Sequence, residues 1–253
     1  SGNFNCPRVQ LAAYMLRTLG YGVLMPSVRN HGLSGKTSTD GHTTYFYEYP
    51  FDVLGAWDYV VNDPDGKLGG AVPPSRVGLM GFSMGGGIVT AAIGLEPRVP
   101  AAWSDTGLLD GPAYVRWQVL HNLGPIGYAV IGAPLAFAIS LSIRSCCLAR
   151  VDAWKYNPVD TLRSDAAPGR KIFVSGNAQD GLVPLVQSQN FKAGAEDPDI
   201  NLGRWDVQLW NMDYECNGEV HCMGHLKDHD EYLRRLRAFW GDVFQHAAPR
   251  APS

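Results

Sequence analysis

A serine, an acid and a histidine, which together can activate a hydroxyl group, occur in this chain where the pattern predicts turns. Ser83 is the centre of the segment GFSMG at residues 81–85. The apolar run VGLM (77–80) precedes it and a small-residue run (86–92) follows, which predicts a strand, a tight turn and a helix. A side chain at Gly81 or Gly85 would collide with the neighbouring strand or helix in such an elbow. Ser83 is the candidate nucleophile.

The acid must orient the base that activates the serine, and two carboxylates are placed to do so. Asp180 follows a predicted strand (171–175) in the turn-forming segment GNAQDGLVP at 176–184. This places it at the carboxyl edge of an open α/β sheet, where catalytic groups collect. Asp180 is the predicted acid. Asp105, which follows another predicted strand (101–104), is the alternative.

Three histidines lie between the last predicted strand and the last predicted helix, namely His221, His225 and His229. A base must emerge from the loop between strand and helix. His225 stands just ahead of the final helix and after Gly224, so it is the predicted base. His221 is the alternative, and His229 is expected in the first turn of the helix.

The elements that position these residues alternate between apolar segments of strand length and longer amphipathic segments. This pattern is typical of a parallel sheet covered by helices. Strands are predicted at 22–28, 77–82, 101–104, 171–175 and 205–210, and helices at 6–19, 52–61 and 228–244. A single α/β domain over residues 1–253 is predicted.

The order Ser83, Asp180, His225 resembles the α/β-hydrolase superfamily, and the resemblance extends over most of the chain. The segment RNHGLS (29–34) resembles the superfamily's Arg-x-x-Gly-x-Ser turn. Gly224 and His225, followed by EYLRRL (231–236), are similar to the ending of the Bem46-like and ABHD17-like serine hydrolases. The resemblance implies an α/β-hydrolase fold without a cofactor. It also implies an oxyanion hole to which the Met84 N–H donates.

The resemblance further implies a strand ending in a His-Gly motif ahead of Gly2, followed by a loop that supplies a second oxyanion donor. The sequence begins at Ser1. We therefore expect N-terminal strands of the fold to be missing from these residues, which would be part of a longer chain. The missing strand would lie between the predicted strands 22–28 and 77–82.

Residues 110–160 are predicted to form a lid inserted into the domain. Its middle, Asn122 to Ile143, carries no charge and is long enough for a transmembrane helix. Gly124, Pro125 and further glycines and prolines interrupt it, so an apolar lid over the active site is the preferred interpretation. Contact with a membrane surface and a buried helix pair are the alternatives. An apolar lid suggests an acyl or other hydrophobic substrate.

Composition excludes some partners and ligands. The net charge of −3, without a basic stripe, argues against nucleic acid. Five cysteines do not suggest a disulfide framework and favour a reducing compartment such as the cytoplasm. Cys216, His221, Cys222 and His225 lack the spacing of a standard structural zinc site, so a Cys216–Cys222 disulfide or two free thiols is preferred and no metal is expected. The pair at 146–147 is interpreted as small core residues or a lipidation site.

The sequence thus predicts a serine hydrolase that acts on an ester, thioester or amide of a hydrophobic acyl substrate. Ser83 would attack, His225 would carry the proton, Asp180 would orient the imidazole and the Met84 N–H would bind the oxyanion. The alternative is a non-catalytic protein of the same fold that binds a hydrophobic ligand or a protein. The sequence does not indicate an oligomeric state.

Overall fold

A four-stranded parallel sheet is the centre of the structure, a computed structural model that describes residues 7–39, 43–144, 151–164, 167, 169–202 and 204–245. The strands are β1 (Leu79–Phe82), β2 (Ala101–Asp105), β3 (Arg170–Asn177) and β4 (Trp205–Met212), and they pair in this order. Because all four are parallel, their carboxyl ends meet at one edge of the sheet. The loops after the strands therefore lie side by side.

Helices connect the strands and cover the sheet, as the alternating sequence pattern predicts. They are α1 (Pro7–Thr18), α2 (Tyr49–Asn62), α3 (Met84–Leu95), α4 (Gly111–Gly127), α5 (Ala133–Arg144), α6 (Val186–Glu196), α7 (Pro198–Asn201), α8 (Gly224–Lys227) and α9 (His229–Gln245). A π-helical turn (Tyr128–Gly132) joins α4 to α5, and 3-10 turns occupy Pro74–Arg76 and Pro158–Arg163.

Alternate residues of β2 face two different apolar cores, which shows that the sheet has helices on both faces. Ala102 packs in a core shared with α2, α3 and α6, where Phe191 is buried. Trp103 packs in a second core shared with α1 and α9, where its ring stacks on Phe173 with centroids 3.7 Å apart. The sheet is therefore the middle of three layers.

The predicted strand at 22–28 is wrong, because residues 21–28 form no regular element. Their side chains do alternate between half-buried and exposed, which explains the pattern in the sequence. A strand also needs a hydrogen-bonded neighbour, and no residue in the described ranges forms a ladder with this segment. Among the described residues β1 is accordingly at one end of the strand order.

The turn that follows this segment is tied to α2. The Arg29 guanidinium donates to Asp52 at 2.7 and 2.9 Å and to Glu48 at 2.9 Å. The hydrogen bond with Asp52 raises the pKa of Arg29. Gly32, within the RNHGLS segment, has a φ of +57°, which favours glycine. Four residues named from the sequence lie outside the described residues: Gly2, Cys6 at the predicted helix start, Cys146 and Cys147.

Candidate active site

Ser83 occupies a strained turn between β1 and α3. Its φ of 54° and ψ of −125° are unusual for a residue with a side chain. Its N–H donates to the Asp105 carbonyl oxygen at 2.9 Å, and its own carbonyl accepts the Gly86 N–H at 2.9 Å. A Cβ added at Gly81 would lie 2.1 Å from the Gly85 carbonyl oxygen, so the turn requires glycine there. The half-buried serine is thus held at the carboxyl edge of the sheet.

Met84 is the first residue of α3. The first N–H groups of a helix have no acceptor within the helix and carry partial positive charge from the helix dipole. A developing negative charge next to Ser83 would therefore meet a donor that is already in place. The arrangement provides one candidate oxyanion donor.

Asp180 and His221 form a hydrogen-bonded pair at the same edge. The His221 Nδ1 lies 2.6 Å from Asp180 Oδ2. The other carboxylate oxygen accepts the N–H groups of Leu182 at 2.8 Å and Val183 at 3.0 Å. An ionised carboxylate can only accept hydrogen bonds, so the His221 ring donates to Asp180 from Nδ1. In the neutral imidazole the other ring nitrogen, Nε2, is then an acceptor. Nε2 is buried and has no hydrogen-bond partner among the described residues.

This pairing corrects the expectation that His225 contacts Asp180. His225 lies in α8 and is fully buried. Its ring packs against Phe82 and Tyr232, each with centroids 5.8 Å away. The histidine of the alternative interpretation, His221, holds the carboxylate instead. His229 is the first residue of α9, as predicted.

The loop that presents His221 is anchored by Asn177, a residue that the sequence interpretation missed. Asn177 is the last residue of β3 and is fully buried. Its Nδ2 donates to the carbonyl oxygens of Tyr214 at 2.7 Å and Val220 at 3.0 Å, and its Oδ1 accepts the Tyr214 N–H at 3.1 Å. Both ends of the loop before His221 are therefore fixed to the sheet. The available signal was an asparagine two residues after the predicted strand 171–175, because buried amides are kept where they bond to backbone.

Asp105, the alternative acid, is engaged by hydroxyl groups. Its fully buried carboxylate accepts Thr106 Oγ1 at 2.8 Å, Ser175 Oγ at 3.2 Å and Tyr232 Oη at 2.5 Å. Burial, followed by the charge of Asp105, raises the pKa of Tyr232 well above its usual value. Tyr232 is therefore a neutral donor, and Asp105 connects β2 and β3 to α9.

Cys222 connects the histidine loop to the serine turn. Its side chain is buried in one small cluster with Phe82, so the residues next to His221 and Ser83 in sequence pack together. Burial raises the pKa of the Cys222 thiol. Cys222 and Cys216 are free thiols, and no group of three metal-ligating side chains occurs in the part of the chain that the structure describes.

An apolar cavity lies between α5 and the segments at 43–45 and 151–153. It measures about 420 Å³ and is lined by Thr43, Tyr45, Ala138, Ile139, Ser142, Val151 and Ala153. Tyr45, Ile139 and Met84 pack against the same buried cluster. The residue after Ser83 and the cavity thus share one apolar region.

Solved structures similar to this chain include an esterase and an α/β hydrolase. The Pyrococcus furiosus esterase Pf2001 has a TM-score of 0.60 at 17% identity, with 96% of this chain and 77% of that chain covered. The α/β hydrolase GrgF from Penicillium sp. sh18 has a TM-score of 0.59 at 15% identity, covering 95% and 86%. Est1E from Butyrivibrio proteoclasticus, solved with ferulic acid, has a TM-score of 0.58 at 16% identity, covering 96% and 85%.

No protein-family model matches this chain, and no curated protein is significantly similar to it in sequence. The parallel sheet, its flanking helices and the structural similarities nevertheless agree on the architecture. The chain has the α/β-hydrolase fold, which confirms the predicted fold class.

The hydrogen bond between Tyr232 and Asp105 gives a stability prediction. Tyr232→Phe removes one donor from a buried carboxylate, so we expect the free energy of unfolding to fall by about 1.5 to 3 kcal/mol. Tyr14→Phe is the matched control, because the Tyr14 side chain is 65% exposed. Urea denaturation of the two variants measures the difference. Equal small changes would show that Asp105 does not depend on this donor.

Proposed function

We propose that the protein is a serine hydrolase that cleaves an ester, thioester or amide of a hydrophobic acyl substrate. In this proposal Ser83 is the nucleophile, His221 is the general base and Asp180 orients His221. The Met84 N–H donates to the oxyanion. The role assigned to His225 from the sequence passes to His221.

The observation that carries the proposal is the orientation of the His221 imidazole. Asp180 holds Nδ1 as a donor and leaves Nε2 buried without a partner among the described residues. A buried acceptor without a partner costs free energy, so its presence in a native structure calls for a functional explanation. Accepting the proton of a serine hydroxyl is such an explanation, since catalytic hydrogen bonds are often completed only when substrate binds.

The proposed reaction has two steps. Ser83 Oγ bonds to the acyl carbon while Nε2 of His221 takes its proton, and the oxyanion accepts the Met84 N–H. The tetrahedral species collapses when the bond to the leaving alcohol, thiol or amine breaks and His221 protonates that group. Water then attacks the acyl-enzyme with His221 again as base, which releases the carboxylic acid and restores Ser83.

The similar solved structures support a hydrolase, because Pf2001 is an esterase and GrgF is an α/β hydrolase. They share only the fold with this chain at their low identity, so the assignment rests on the site. The resemblance of the chain's ending to the Bem46-like and ABHD17-like hydrolases stays a prediction. Gly224 and His225 do lie just ahead of the last helix, but Asp180 is bonded to His221.

The proposal is tested by hydrolysis of p-nitrophenyl butyrate. Ser83→Ala and His221→Gln should each reduce kcat/KM by about 10³-fold or more, since both residues act as one unit. His225→Gln should retain more activity than His221→Gln when thermal unfolding shows both variants to be folded. Nearly full activity in Ser83→Ala would contradict the mechanism. Loss of activity in His225→Gln but not in His221→Gln would show that His225 is the base.

The cavity beside α5 gives a prediction on chain length. Ala138→Phe places a ring in the cavity, so the kcat/KM ratio for p-nitrophenyl decanoate over acetate should fall by about tenfold. Ala133→Phe, at an exposed position of α5 that does not line the cavity, is the matched control and should leave the ratio unchanged. An unchanged ratio in Ala138→Phe would exclude this cavity as the acyl site.

A further inference from the structure

Helices α4 and α5 form a hairpin, residues 111–144, that is called the α4–α5 hairpin below. Gly124 has a non-helical conformation (φ 69°, ψ 172°) and is followed by Pro125, so the chain bends there. Beyond the bend, the π-helical turn and α5 pack back against α4. The segment Gly111–Ile139 is, by length and composition, apolar enough to cross a membrane. Its bend and its packing against itself give it a different shape from a straight span.

The hairpin exposes many large apolar side chains. Ile126 is 83% exposed, Val130 72% and Phe137 71%. Others that are exposed are Leu120, Leu123, Ile131 and Leu135. From position 117 to position 143 the sequence contains no Asp, Glu, Lys or Arg. Large apolar side chains that are exposed together in one segment indicate an interaction site.

The exposed arc of α5 is wide. Successive residues of a helix point about 100° apart around its axis. The side chains of Leu135 and Phe137 therefore point in nearly opposite directions, and both are exposed. Only Ala136 between them is fully buried, with Ile139 partly buried. A helix on a water-facing surface carries charged or polar residues over such an arc. A helix that is apolar there is suited to hydrocarbon.

Two exposed polar side chains of the hairpin, Asn122 and Ser142, donate to backbone within the hairpin. Ser142 Oγ donates to the Ala138 carbonyl at 2.8 Å, and Asn122 Nδ2 donates to the Gln118 carbonyl at 2.7 Å. A protein interface usually offers side-chain donors and acceptors to its partner along a polar rim. Internal satisfaction is instead the requirement for contact with lipid, which supplies no hydrogen bonds in its core.

The charges nearest to the apolar run are both basic. Arg116 is exposed on α4, and Arg144 ends α5 in the sequence. Basic residues that flank an apolar segment complement anionic lipid head groups. Trp117, whose ring stacks on His121 with centroids 4.9 Å apart, lies at the same end of the run as Arg116. Tryptophan is enriched at the boundary between head groups and acyl chains.

We propose that the α4–α5 hairpin docks this protein on the surface of an anionic phospholipid bilayer, with Ile126, Val130 and Phe137 entering the acyl region. Both ends of the hairpin connect to strands of one sheet, β2 before it and β3 after it. The protein therefore lies on one side of the bilayer. This docking goes beyond the proposed hydrolysis and does not require it.

The test uses the full chain in a Ser83→Ala background, so that hydrolysis has no part in the result. Flotation with vesicles of phosphatidylcholine and phosphatidylglycerol in equal parts measures binding, and vesicles of phosphatidylcholine alone measure the charge dependence. The Ser83→Ala protein, called the parent here, should float with the mixed vesicles and should float less with the vesicles of phosphatidylcholine alone. Ile126→Glu and Phe137→Glu should each weaken binding by about tenfold.

Leu33→Glu is the matched control, because Leu33 is 97% exposed outside the hairpin, and it should bind as the parent does. Thermal unfolding shows whether each variant is folded, and Ile126→Ser is a milder second variant. Absence of flotation by the folded parent overturns the proposal. So does equal binding by Ile126→Glu and Leu33→Glu. A dimer of the parent that Phe137→Glu separates, without flotation, would assign the surface to a second copy of the chain.

Discussion

The buried carboxylate of Asp105 is the constraint on which the carboxyl edge of the sheet depends. The carboxylate accepts three hydroxyl groups, from Thr106 after β2, from Ser175 in β3 and from Tyr232 in α9. The backbone carbonyl of Asp105 accepts the Ser83 N–H. A buried charge without such donors would be very costly, so the surrounding elements must stay in place. The strained turn at Ser83 can persist because this network determines the position of its neighbours.

The two carboxylates of this edge have different environments and hence different roles. Asp105 is surrounded by hydroxyl groups and packed beneath α9, whereas Asp180 receives two backbone N–H groups and one imidazole. Only the second arrangement sets the orientation of a histidine. Asn177 fixes the loop that carries His221, so the geometry of the pair is determined by the end of β3.

Local pattern was sufficient for the four strands of the sheet and for the turns that carry Ser83 and Asp180, two residues of the candidate site. The positions of these two residues were predictable because each follows a strand in a turn whose glycines are recognisable. The sequence did not reveal which of His221 and His225 bonds to Asp180. The path of the loop that carries His221 depends on Asn177 and on positive φ angles at Asn217 and Cys222. The alternation of half-buried and exposed side chains at 21–28 is typical of a strand. Forming a strand also requires a hydrogen-bonded neighbouring strand, which the residues of the segment itself do not reveal.

A crystal structure of the protein after treatment with a fluorophosphonate would test the Asp180–His221 pair most directly, because phosphonylation requires an activated serine. The account predicts phosphorus bonded to Ser83 Oγ, a phosphonyl oxygen that accepts the Met84 N–H, and the His221 ring as the imidazole nearest to Ser83 with Nδ1 still on Asp180. The account is contradicted if Ser83 stays unmodified or if the His225 ring occupies that place.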